Sequence, residues 1–294
     1  MSARVVYLYV PGNSPSLIYA SLAASADVVV LDLEDAVAPH KKHEARHLTA
    51  EALRSLPWKA WDGVAVRVNP PSTEHGRLDI QHTVRAGVRL IRVPKVESDE
   101  DIEQVDVQIG VLEHGLRLER YSVRLIASIE SARGLLNAPQ IATCSKRLDA
   151  LSLGGEDLSA DMGAVRSKRG TELGYARAAV VCAARAAGIV AIDSVFPFLD
   201  DEQSLFEDAK NAADIGFDAK SVISPGQVDV VRRAFYPSDE EIVHAEKIVE
   251  SARRLSGVHS VGGSMVDAPV VKRAWRILDR RDMMRGRHAY EWKS

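Results

Sequence analysis

The sequence predicts an α/β protein built as a (β/α)8 TIM barrel with a C-terminal helical extension. Three observations carry that expectation. Eight apolar runs of strand length recur between Tyr7 and Ile223. Helical stretches lie between them, and parallel strands require such crossovers. Polar residues gather just past the C-terminal ends of the runs, where barrels of this type carry their sites. The expected boundaries are a barrel over residues 1–228 and a helical extension with a lid loop over residues 229–294.

The elements follow in chain order. Tyr7–Val10 is a short strand stopped by Pro11-Gly12-Asn13, after which Ser14 and Pro15 cap and start a helix through Ala24. Val28–Asp32 is a second strand that ends in the acidic residues Asp32, Glu34 and Asp35, and Lys41–Leu56 is helical up to Pro57. Val64–Val68 is a third, closed by Asn69-Pro70-Pro71; Asp79–Ala86 is a helix; Leu90–Val93 is a fourth strand, closing on Pro94-Lys95. Leu125–Ile129 and Ala150–Leu153 are strands five and six, joined by a helical segment from Ser131 to Ile141. Glu172–Ala187 is an Ala-rich helix that Gly188 ends, Ile189–Ile192 is strand seven and Ser221–Ile223 strand eight. The stretches 88–98 and 123–131 echo one another as neighbouring units of one barrel would. After Gln227 the pattern changes to a charged amphipathic helix over Asp239–Leu255, a Gly/Ser-rich loop over Gly257–Gly263, and a further helix over Pro269–Asp282.

Composition narrows the function classes. With 38 Lys plus Arg against 41 Asp plus Glu, the formal charge is −3, which gives no basic surface for nucleic acid. No apolar run is long enough to span a membrane, and the N-terminus enters a strand without a secretory pattern, so a soluble, cytoplasmic protein is expected. Cys144 and Cys182 are too few for a disulfide framework, and both read as packing positions.

The stretch from Leu125 to Asp161 carries the chemistry. Each of its two strands delivers a carboxylate just past its end, Glu130 and Asp157, onto one side of the sheet. Oxygen ligands alone suit a hard cation, so the pair reads as a Mg2+ site. Gly154 and Gly155 would let the backbone approach a ligand and leave amide groups for an anion. The alternative is a pair of acids that merely complement helix N-termini. His43-Glu44-Ala45-Arg46-His47 matches a zinc-hydrolase pattern, but it lies on a Lys-flanked helix without a third ligand and reads as a solvated face. Lys95 and Asp193 close strands beside the cleft, as supporting polar residues or structural partners of the acids.

Five ordered motifs, Leu31-Asp-Leu-Glu-Asp-Ala-Val37, Val66-Arg-Val-Asn-Pro70, Ile129-Glu-Ser-Ala-Arg-Gly134, Gly154-Gly-Glu-Asp-Leu158 and Gly263-Ser-Met-Val-Asp-Ala-Pro269, resemble the citrate lyase beta-subunit-like family, which includes malyl-CoA and citramalyl-CoA lyases and malyl-CoA thioesterases. The resemblance implies a Mg2+-dependent TIM barrel that acts on an acyl-CoA, yields or uses a 2-oxoacid, and assembles as a homo-oligomer, a trimer or hexamer. It implies Glu130 and Asp157 as metal ligands and Arg67 as the residue on a substrate oxygen. Asp267 would be an acid–base residue that closes over a neighbouring subunit's site. Gly155 and Glu156 would line the substrate, with Glu34, Asp35 and Lys95 behind them. Two departures fall at the barrel mouth: Val5 and Val6 replace an Arg-Ser pair, and Ser224 replaces the His of an Ile-His-Pro motif.

The expected reaction is carbon–carbon cleavage of a β-hydroxyacyl-CoA. It needs a Lewis acid at the oxygen that becomes the ketone, a cation for the carboxylate, and an acid for the thioester enolate. A malyl-CoA-type thioesterase, a citrate lyase complex subunit working on an acyl carrier protein, and a silent scaffold are the competing readings.

Overall fold

The computed structural model describes residues 4–57, 63–255 and 258–291. Its elements fall into two compact units, Arg4–Val231 and Arg232–Ser294.

The first unit is a closed, all-parallel, eight-stranded barrel. In chain order it runs β1 (Val6–Pro11), α1 (Pro15–Ser21), β2 (Val28–Asp32), α2 (Lys42–Ser55), β3 (Val64–Arg67), α3 (Glu74–Arg85), β4 (Leu90–Val93) and α4 (Asp99–Gly115). It continues with β5 (Arg124–Ile129), α5 (Ala132–Leu136), α6 (Ala138–Thr143), β6 (Leu148–Leu153), α7 (Gly155–Asp161) and α8 (Gly174–Ala187). Then follow β7 (Val190–Asp193), α9 (Glu202–Ile215) and β8 (Ala219–Val222), and the next helix, α10 (Val228–Phe235), contains the boundary between the two units. Each strand pairs with the next, and β1 pairs with β8 through Val6↔Lys220 and Leu8↔Val222, which closes the ring. The echoing stretches over 88–98 and 123–131 hold β4 and β5, which are paired neighbours.

Side chains alternate across a strand with a period of two, and that period stacks the barrel interior in layers. Tyr7, Val28, Val30, Ala65, Leu90, Ile126, Ala150, Ile192 and Ala219 form one apolar cluster to which every strand contributes. Two residues further along, the same strands carry Tyr9, Asp32, Arg67, Arg92, Ser128, Ser152 and Ser221. An apolar layer below therefore supports a polar one at the C-terminal end, where the site lies.

Several boundaries differ from the sequence expectation for local reasons. Helix α1 ends at Ser21 rather than Ala24, and Ser14 makes no side-chain capping bond. Helix α3 starts at Glu74, five residues earlier than expected, because Thr73 caps it by accepting from Gly76 N–H at 3.0 Å. Helix α4, which the sequence reading left without an element, begins where Asp101 accepts from Ser98 N–H at 3.0 Å, a capping interaction whose signature is Ser-x-x-Asp. The crossover after β5 is split at Asn137 into two short helices. Cys144 is half-buried, and Cys182 is exposed rather than packed.

The second unit holds α11 (Asp239–Arg254), a hairpin of β9 (His259–Val261) and β10 (Ser264–Val266), and α12 (Ala268–Glu291). Ile242, Ala245, Ile248, Val266, Ala274 and Leu278 form its core. The expected Gly/Ser-rich loop is thus mostly a hairpin, turned by Gly262 and Gly263 at φ of 57° and 82°; its first residue, Gly257, lies outside the described residues, as do Trp292–Ser294.

Candidate active site

A cavity of about 410 Å³ opens at the C-terminal end of the barrel, between β1, β2, β3, β4, β5 and the start of α7. Asp32, Asp35, Arg67, Arg92, Glu130 and Asp157 all line it. Residues up to 125 positions apart are therefore brought together, and Glu130 and Asp157 share one site.

Glu130 directly follows β5 and is 5% exposed. Its Oε1 accepts from Lys95 N–H at 2.6 Å. Lys95 reaches that position with φ of 53°, a left-handed conformation that a non-glycine residue holds only where its surroundings impose it. Burial first, and the charge of Asp157 second, push the Glu130 carboxyl up to about 7. Asp157 comes from the first turn of α7 rather than from the strand end itself.

The adjacent glycines have a different role from the one expected. A Cβ on Gly154 would lie 2.4 Å from Glu130 Cβ, and one on Gly155 would lie 2.8 Å from Leu173 Cδ1 and 2.9 Å from Ser194 Oγ. Both make room for protein side chains. The N–H of Gly154 is bonded to Ile129 O at 2.9 Å and so is not free for an anion.

Arg67, at the end of β3, holds carboxylates of the chain itself. Its Nε and Nη2 grip Asp32 Oδ1 and Oδ2 at 2.7 and 2.6 Å, and Nη1 lies 3.0 Å from Glu34 Oε2 and 3.5 Å from Asp35 Oδ2. Lys95 Nζ pairs with Glu34 Oε1 at 2.9 Å. The planar fork expected to meet substrate is therefore occupied by Asp32, Nη1 faces Glu34 and Asp35, and one N–H on Nη2 remains for a ligand. Glu156 lines the cavity but is tied to Arg166 Nε at 2.7 Å, and Arg166 also bridges to Glu172.

Sequence reasoning missed Arg92 and Tyr9. The guanidinium groups of Arg67 and Arg92 lie over the Tyr9 ring, 4.9 and 5.0 Å from its centroid. The available signal was their spacing of two from Leu90 and Tyr7 on strands already assigned. Asp193, expected beside the cleft, is instead fully buried with Arg177, Asp208 and Lys220, so it is a structural partner. Val5 and Val6 are buried, and their N–H groups donate to Asp27 Oδ2. Ser224 accepts from Gly226 N–H at 3.3 Å. His43 and His47 are exposed on α2.

Asp267 belongs to the second unit. Its Oδ1 accepts from Val270 N–H at 3.1 Å, capping α12.

Among the described residues no cluster of three or more His, Cys, Asp or Glu is arranged to hold a metal. The donors at Glu130 and Asp157 are nonetheless suited to Mg2+. Both are oxygen ligands, Glu130 is buried against a like charge, and a small hard cation ordinarily keeps water and substrate oxygens in its other positions.

The HpcH/HpaI aldolase/citrate lyase family pattern matches residues 5–225. Citrate lyase subunit beta of Haemophilus influenzae is 39% identical over 95% of this chain and 97% of its own. The mitochondrial citramalyl-CoA lyase of Mus musculus is 35% identical over 94% of this chain and 85% of its own. Among solved structures, CitE from Mycobacterium tuberculosis in complex with magnesium, acetoacetate and coenzyme A superposes with a TM-score of 0.82 at 31% identity, covering 95% of this chain and 98% of that one.

Proposed function

The chain belongs to the HpcH/HpaI aldolase/citrate lyase family, and we propose that it is a Mg2+-dependent CoA-ester lyase. It cleaves a β-hydroxyacyl-CoA of the citryl, malyl or citramalyl type into acetyl-CoA or a homologue and a 2-oxoacid. The observation that carries this reading is the pairing of Glu130 with Asp157 in one cavity, with the Glu130 carboxyl pushed up to about 7 by burial and by that neighbour. A buried acid and a part-exposed one that repel one another are stabilised by a cation.

Glu130 and Asp157 would hold Mg2+, which when bound polarises the oxygen that becomes the ketone. Arg67 gathers Asp32, Glu34 and Asp35 into a fixed cluster and keeps one N–H, on Nη2, for a substrate oxygen. Gly155 leaves space beside Ser194, and Glu156 is steered by Arg166 at the cavity wall. As the carbon–carbon bond breaks, the β-hydroxyl gives its proton to water and becomes the ketone, the electron pair of the bond passes to the α-carbon of the thioester, and the resulting enolate needs a proton. Asp267 supplies it in this reading, its loop closing over the barrel of a neighbouring subunit in a trimer or hexamer. The barrel with its site residues over 1–228 and the extension over 229–294 then have separate tasks. Two unpaired cysteines suit a cytoplasmic setting, and among the described residues no helix is long and apolar enough to cross a membrane.

Purified protein assayed with Mg2+ on citryl-, malyl-, citramalyl- and methylmalyl-CoA, scoring free CoA separately from acetyl- or propionyl-CoA, tests the activity. Acetyl- or propionyl-CoA is expected; free CoA alone would make it a thioesterase. Mixing inactive Asp267→Asn with inactive Glu130→Ala under subunit exchange tests the shared site, and partial recovery of activity is expected.

A further inference from the structure

We propose that Arg92 is the receptor for a second carboxylate on the 2-oxoacid half of the substrate, so that this chain favours thioesters that release a 2-oxo dicarboxylate over those that release a 2-oxo monocarboxylate. The inference rests on the lyase reading above and adds to it a residue and a substrate class.

Arg92 follows Leu90 by one pleat step on β4, at a barrel-interior level that bulky aliphatic residues commonly fill. It is 3% exposed. The other arginines buried to this degree all have carboxylate partners. Arg46 is 2.6 Å from Asp79, Arg147 is 2.8 Å from Glu113, and Arg177 lies 3.0 and 2.7 Å from Asp193 and Asp208. Arg92 has none within ion-pair distance among the described residues. Its Nε, Nη1 and Nη2 donate to the hydroxyls of Ser128, Ser221 and Ser152 at 3.0, 3.2 and 2.5 Å. A buried charge held by neutral hydroxyls and the face of the Tyr9 ring lacks the carboxylate partner that buried charges ordinarily have.

The arrangement leaves binding capacity in the right place. Three of the five N–H groups are used, so one remains on each terminal nitrogen, and such a pair can hold one carboxylate by two bonds. Each serine oxygen accepts from Arg92, which turns its own proton away from the guanidinium. None of those three hydroxyls donates to another described residue, so the hydroxyls hold the guanidinium in place without neutralising it. Arg92 lines the cavity. Most other charges there are negative, at Asp32, Asp35, Glu130 and Asp157, and Arg67 is already committed to Asp32 and Glu34. The carboxylate next to the reacting carbon would meet the cation that Glu130 and Asp157 would hold and the one spare N–H of Arg67. A further one meets an unspent positive charge only at Arg92.

The test compares citryl-CoA with citramalyl-CoA, which carries a methyl group where citryl-CoA carries a carboxymethyl arm. The wild-type protein with Mg2+ should favour citryl-CoA by at least tenfold in kcat/KM. Arg92→Met should lower the citryl-to-citramalyl ratio about a hundredfold, and Arg92→Lys, which keeps the charge but loses the fork, about tenfold. An unchanged ratio in Arg92→Met, or in Arg92→Lys if the first variant does not fold, would make Arg92 a structural residue, and a wild-type preference for citramalyl-CoA would overturn the assignment directly. Calorimetry with oxaloacetate and pyruvate separates this from failure of the lyase reading. If no thioester turns over, wild-type discrimination between the two acids that disappears in Arg92→Met still supports the receptor, and equal affinities refute it.

Discussion

Two guanidinium groups lie over the ring of Tyr9, and their surroundings differ in charge. Arg67 faces Asp32, Glu34 and Asp35; Arg92, its cross-strand partner on β4, faces Ser128, Ser152 and Ser221. Like charges in register on adjacent strands repel. Here the carboxylates around Arg67 more than cancel its charge, and the Tyr9 ring takes up part of both by cation–π attraction. The β2–β3 side therefore has no positive charge to spare, since Lys95 and Lys42 also face Glu34, and Glu130 and Asp157 beside it make the site anionic, whereas the floor at β4 keeps a positive charge to offer. Arginine on a barrel strand does not in itself mean substrate binding. Its role follows from what already neutralises it.

The strongest way to sharpen this contrast is at the anionic side. Glu130→Gln or Asp157→Asn should lower Mg2+-dependent turnover about a thousandfold, since a Lewis acid supplies several kcal/mol at the transition state. Glu130→Gln should also melt higher than the wild type without Mg2+, because it removes a buried negative charge beside Asp157, and Mg2+ should raise the melting temperature of the wild type alone. A Mg2+-induced shift of wild-type size in the variant would detach Glu130 from the metal.

Arg67→Lys should come next, at about a hundredfold in kcat/KM with about 3 kcal/mol lost from stability, since a buried pair is broken when one partner no longer fits. Denaturant unfolding reads the second figure, and wild-type stability would mean that the fork does not hold Asp32. Asp32→Asn should then cost about tenfold in activity, by releasing Arg67 rather than by touching substrate. A full hundredfold loss would give Asp32 a direct role in the reaction.

Ser152→Ala should have the smallest effect, about 1 kcal/mol in stability, because it removes a single neutral acceptor from Arg92. A loss as large as that of Arg67→Lys would show that the hydroxyl side carries as much electrostatic energy as the carboxylate side, and the contrast would fail.

Much of the molecule was legible in the chain. Short runs dominated by apolar residues marked the barrel strands, because a parallel strand covered on both faces is largely apolar, with polar residues such as Arg92 and Ser221 confined to the layer at the site. Five motifs marked the family, and Glu130 and Asp157 were visible because each follows a strand directly or by one tight turn. Helix ends were less legible, and α4 was missed altogether, since its capping box uses short polar residues that also make such bonds in turns. The hairpin of β9 and β10 was read as a loop because three-residue strands around a Gly-Gly turn carry almost no periodic signal.

The sequence by itself determined the alternation of strands and helices, the two acids after β5 and β6, and the family. Only the tertiary structure decided what each charge faces. Asp32 and Arg67 meet across 35 positions, and Arg92 and Ser221 across 129. The reason is physical: strand and helix propensities act over a few neighbouring residues, whereas the field at a buried charge comes from whatever side chains barrel closure places within a few ångströms, regardless of their separation along the chain.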